Sequence, residues 1–131
     1  MIKLATLATA FVALSAVPSL ASFGLMCSGP DGVDVSIPLG AGPGVSPLSA
    51  EIRAAEQVWT TVSGVAGAIE IMPAQAAALD TRLYFDFTDP NFEELVAEVR
   101  LFRADTEDEP VYGGPLRLAG HGAWPIACQV G

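Results

Sequence analysis

One histidine, two tryptophans, two cysteines and fifteen carboxylates hold most of the chemistry open to this chain. The histidine, His121, lies in Gly120-His121-Gly122. It could serve as a general base or a ligand, but a lone histidine between glycines is more often a turn residue. There is no second histidine to complete a zinc site beside it. A G-x-S-x-G elbow, a Walker loop and a dinucleotide fingerprint are all missing. GAGPG at 40–44 is glycine-rich, yet Pro43 and the lack of a following Gly-Lys signature speak against phosphate binding.

The carboxylates allow more. Asp86 and Asp89 flank Thr88, with Asp80 upstream, and oxygen ligands of this kind could hold Ca²⁺. The spacing is sparser than an EF-hand loop, and Asp89 before Pro90 has the features of a helix N-cap. Glu107-Asp108-Glu109 reads as a solvated turn. A carboxylate pair for glycoside cleavage is set by the fold rather than by spacing. Trp59 and Trp124 could be stacking surfaces, although tryptophan in a small β domain is more often core. Trp124 is the better surface candidate because it lies beside the Gly-rich turn. The candidate ligand or partner surface is therefore Trp124, His121, Asp86 and Asp89, with no catalytic set, no metal site and no cofactor expected.

The cysteines bear on the compartment. Residues 1–21, MIKLATLATAFVALSAVPSLA, join Lys3, an apolar stretch, Pro18 and small residues before a cleavage point after Ala21. That is the layout of a secretory signal peptide. A retained membrane anchor is the competing reading, since the uncharged run is about long enough to span a bilayer at roughly 20 residues. Cys27 follows Leu25-Met26, too bulky for lipoprotein processing. An even cysteine count in an exported chain then pairs Cys27 with Cys128. The expected organisation is a cleaved leader at 1–21 and a single β-rich domain at 22–131, periplasmic or secreted, with no stable membrane anchor.

Loss of Lys3 with the leader takes the formal charge from −9 to −10 and leaves five arginines and no lysine. Such a surface repels nucleic acid and anionic lipid and could attract a cationic protein. Lys-poor, Ala- and Arg-rich usage suggests a bacterium.

Several segments must position these groups. Residues 23–28 and 33–39 alternate apolar and polar residues around the Ser28–Gly32 turn cluster and read as a hairpin. Segment 46–61 fits either a helix after Ser46-Pro47 or strands interrupted near Ala55-Glu56; the strand formers in VWTTV favour the latter. AIEIM suggests a strand and PAQAAALD, 73–80, a loop. RLYFDFT is the clearest strand. Asp89, Pro90, Glu93 and Glu94 predict a short helix at 90–97, followed by a hairpin of 98–104 with 111–119. AWPIACQV closes the chain with Trp124, Ile126, Cys128 and Val130 on one face.

The expected fold is mainly β: a small antiparallel β-barrel or sandwich with one short helix, closed by a disulfide between first and last strands. The alternative is α+β with helices near 47–59 and 90–103. The layout is similar to the small exported β-barrel lysozyme inhibitors of bacteria in its leader, size, single disulfide and acidic mature chain. The resemblance stops at architecture, because the Ser/Gly-rich and Lys-containing loops of that family have no counterpart here. The functional expectation is an exported, non-catalytic binding or accessory protein with a cationic protein or small ligand as partner. A carboxylate-dependent hydrolase and a structural envelope component are the rivals.

Overall fold

The computed structural model describes residues 24–40 and 44–131. Residues 1–23, which include the expected leader, and residues 41–43 of the glycine-rich loop lie outside that range. Ten strands follow in chain order: β1 Gly24–Ser28, β2 Asp34–Pro38, β3 Glu51–Ala54, β4 Gln57–Thr60, β5 Ile69–Glu70, β6 Met72–Leu79, β7 Arg82–Thr88, β8 Leu95–Asp105, β9 Pro110–Leu118 and β10 Gly122–Val130. They form one sheet in the order β5-β4-β3-β2-β1-β10-β9-β8-β7-β6. Its first and last members are consecutive in sequence, separated by Ile71. One stretch of chain, 69–79, thus borders both ends of the sheet. It pairs parallel to β4 through Trp59↔Ile69 and Thr60↔Glu70, then antiparallel to β7 from Met72↔Thr88 to Leu79↔Arg82. The result is a nearly closed barrel.

Period-2 alternation builds the wall. Leu25, Val35, Ile37, Ile52, Trp59, Phe85, Phe87, Val99, Leu101, Leu116 and Ile126 alternate inward and are buried. Burial of such side chains is the main force that closes the sheet. Cys27 and Cys128 lie directly opposite each other on β1 and β10 and form the expected disulfide, 101 positions apart in sequence. The bond joins the first and last strands from the core side, where both cysteines are buried.

The 47–59 helix of the alternative reading is replaced by the β3–β4 hairpin. Ala55 and Glu56 form its two-residue turn, at φ 48° and 60°. The break near Ala55-Glu56 falls where the strand reading put it. The helices at 90–97 and 90–103 do not form either. Asp89 caps a loop instead: its Oδ1 accepts the amides of Glu93 and Glu94 at 2.8 Å, and its own amide donates to Glu94 O. Phe92 takes a left-handed φ of 57°, which an α-helix cannot propagate. From Leu95 onward, inward alternation of Ala97, Val99 and Leu101 prevails over the helical spacing. The hairpin beyond it is present and longer than expected. Segment 73–80 is not a loop but most of β6. Its alanines are weak strand formers, yet Ala76 and Ala78 sit opposite Phe85 and Leu83, where small residues fit beside large ones.

Candidate functional site

The barrel interior is filled. Trp59, Phe85 and Phe87 are at most 1% exposed and occupy it with the aliphatic side chains. The β9–β10 turn brings His121 to Trp59, ring centroids 5.0 Å apart and nearly perpendicular. Those two strands stand several places from β4 in the sheet, so this contact crosses the barrel mouth. His121 remains exposed, and its Nδ1 lies 3.1 Å from Ala119 O. Trp124 is half-buried, on the same strand face as Ile126 and Cys128. The histidine and the two tryptophans therefore help to seal one end of the barrel. Asp89 lies at the turn after β7 and is occupied as a loop cap. Its backbone hydrogen bonds, chiefly from Glu94 and then Glu93, pull its carboxyl below the usual value against the upward push of desolvation.

Asp86 is different. It lies on the outer face of β7, directly opposite Glu98 of β8, in a polar ladder that also holds Tyr84, Arg100 and Arg117. Arg100 is the hub. Its Nη1 is 2.7 Å from Asp86 Oδ1, its Nη2 is 3.5 Å from Glu98 Oε1, and its guanidinium carbon lies 5.1 Å from the centre of the Tyr84 ring. Arg117 Nη1 donates to Glu98 Oε2 at 3.1 Å. The N–H groups of Arg100 Nη1 are directed at the carbonyls of Phe85 and Val99. Asp86 Oδ1 is buried, and among the described residues its partner is the Arg100 charge rather than a hydrogen-bond donor. Beside this ladder is an open depression of about 360 Å³, lined by Gln75, Ala76, Ala77, Tyr84, Asp86 and Arg100.

Of the four expected surface residues, Asp86 lines this depression. Trp124 and His121 belong to the barrel end, and Asp89 to a loop. No group of three His, Cys, Asp or Glu side chains is placed to hold a metal ion among the described residues. Tyr84, Glu98, Arg100 and Arg117 were not singled out from sequence. Their signal was the β7–β8 and β8–β9 registers, which the helical reading of 90–97 hid.

A second feature is the far end of the β8–β9 hairpin. Every residue from Phe102 to Glu109 is exposed, and Asp105, Glu107, Asp108 and Glu109 crowd its tip. Among the described residues, only Asp105 of these has an arginine partner, Arg103, at 2.8 Å.

No family model, curated protein or solved structure matches the chain. The class that the fold defines is a small, acidic, disulfide-tied β-barrel with a packed interior. Among the described residues no helix is long and apolar enough to cross a membrane. A disulfide across the core fits a compartment outside the reducing cytosol.

Proposed function

We propose that this chain is an exported, non-catalytic binding or accessory protein of the bacterial periplasm or medium, acting through its outer surface. The observation behind the reading is the filled barrel. With Trp59, Phe85 and Phe87 packed inside, recognition falls to the wall and loops. The acidic β8–β9 tip would meet a cationic protein. The depression at Asp86, Tyr84 and Arg100 would take a small ligand bearing donors and an aromatic or cationic face. The hydrolase reading is less well supported. A catalytic acid is desolvated and kept away from cations, whereas Asp86 and Glu98 both face Arg100.

The test is binding of the processed protein to an immobilised lysine-rich peptide across a salt series. The expected result is association that weakens steeply with salt and is lost in the triple variant Glu107→Gln, Asp108→Asn, Glu109→Gln. Binding insensitive to salt, or unchanged in that variant, would overturn the cationic-partner reading. Native mass spectrometry of the protein from its own cells reports the leader cleavage and any bound ligand in one experiment.

A further inference from the structure

We infer that the outer edge of β6 is a self-association site, where two copies of this chain pair antiparallel through residues 75–79. The sheet order ends at β6, which is bordered only by β7. The closing stretch bonds β4 only from Ile69 to Ile71, so beyond Met72 its outer side has no neighbouring strand among the described residues.

The register identifies the free groups. Asp80-Thr81 is a two-residue turn, which makes Leu79–Arg82 a hydrogen-bonded pair. Alternation puts Ala78–Leu83 and Ala76–Phe85 in the non-bonded class. The amide and carbonyl of Ala76 and Ala78 therefore point away from β7.

Natural edges are defended by charge, proline, bulges or brevity. Pro73 and the irregular register between Pro73 and Gln75 defend the first half of β6. Gln75-Ala76-Ala77-Ala78-Leu79 has no such device, and Leu79 at its end is 56% exposed.

Charge selects the occupant. With a formal charge of −9 for the whole chain, most surfaces of two copies repel each other. Residues 71–79 carry no charge. A lysine- or arginine-rich strand would gain no attraction from so neutral an edge. A two-fold axis at Ala77 sets Ala77 against Ala77 of the second copy, Ala76 against Ala78 and Gln75 against Leu79. Each Ala76–Ala78 pair then exchanges both backbone bonds. The two Asp80 side chains fall at opposite ends of the joined segment, about 20 Å apart, beyond the screening length of about 8 Å at physiological salt. Paired area this small belongs to weak, concentration-dependent association.

The experiment is sedimentation of the processed, disulfide-bonded protein over a wide concentration range. The parent protein should rise in mean mass toward the dimer. Ala77→Lys sets two ammonium groups face to face at the axis. Ala78→Pro deletes an outward amide without breaking a bond to β7. Each should weaken association about tenfold or more, with the circular dichroism spectrum of the parent. Ala127→Lys, on the outer face of β10, should leave it unchanged. A parent protein that stays monomeric up to its solubility limit would overturn the proposal. So would a dimer that survives in whichever edge variant folds. Neither result bears on peptide binding by the acidic tip.

Discussion

Removing the Cys27–Cys128 bond, by the double variant Cys27→Ala, Cys128→Ala or by reduction, should destabilise the barrel mainly through its unfolded state. The cysteines already face each other across a hydrogen-bonded strand pair, so the native wall keeps its backbone bonds without the link. What changes is the freedom of a chain otherwise closed over 101 positions. Loop-closure entropy for such a loop is worth about 4.7 kcal/mol. With an unfolding entropy of about 0.23 kcal/mol/K for a domain of about 110 residues, the melting temperature should fall by about 20 °C. In urea, at an m value of about 2 kcal/mol/M, the midpoint should fall by about 2.3 M. The m value itself should rise, because the unlinked chain exposes more surface. Urea titration of the oxidised, reduced and double-alanine proteins, followed by tryptophan fluorescence, measures all three quantities. A loss below about 1 kcal/mol, with unchanged m, would refute the argument. It would mean that the unfolded chain keeps β1 near β10 without the bond.

Gly114→Ala should be severe, about 3 kcal/mol or more by urea midpoint, because the new Cβ would meet Arg100 O, with Arg100 C at 3.1 Å. Ala55→Asn with Glu56→Gly should raise stability by about 1 kcal/mol. Both positions have positive φ in a two-residue hairpin turn that favours Asn-Gly. Arg100→Met should cost about 1–2 kcal/mol and leave Asp86 and the carbonyls of Phe85 and Val99 without their cation, measured in the same titration. Asp89 has a carboxyl pulled below its ordinary value, so its contribution is complete above the usual carboxylate range. It should be lost as pH falls through the lowered value. Asp89→Asn should flatten that acid limb of the stability–pH curve; an unchanged limb would assign it to other carboxylates.

The strands with clean alternation were readable because each buries one face: 24–28, 34–38, 82–88 and 122–130 all place their buried residues on alternate positions. The segment after Asp89 misled because its capping residue is real and its spacing fits both periods. Asp89 caps a left-handed turn at Phe92, and local chemistry alone does not distinguish that from a helix start. The polar ladder was half legible. Tyr84 and Asp86 fall on the outward side of a strand that sequence identifies. Glu98, Arg100 and Arg117 join them only through registers on two further strands, which depend on where β8 begins.

The alanine-rich run at 73–80 was the least legible element, and the reason bears on the whole architecture. A strand usually announces itself by residues that prefer the pleat. This run is held by position instead: Ile69 and Glu70 bond to β4, Ile71 donates its amide to Thr60, and the chain then crosses to β7. A single stretch must lie between two sheet ends and accommodate a change from parallel to antiparallel pairing. Small side chains permit that close passage beside Phe85 and Phe87. The same smallness leaves nothing to shield the outer edge once β4 turns away at Thr61. The requirement that lets 69–79 close the barrel is therefore also what exposes Ala76 and Ala78. A more strongly strand-forming residue at the packed position, such as valine at 76, should crowd Phe85 and lower stability, although its intrinsic strand preference is higher. A gain in the urea midpoint of Ala76→Val would show that propensity, not packing, limits this strand.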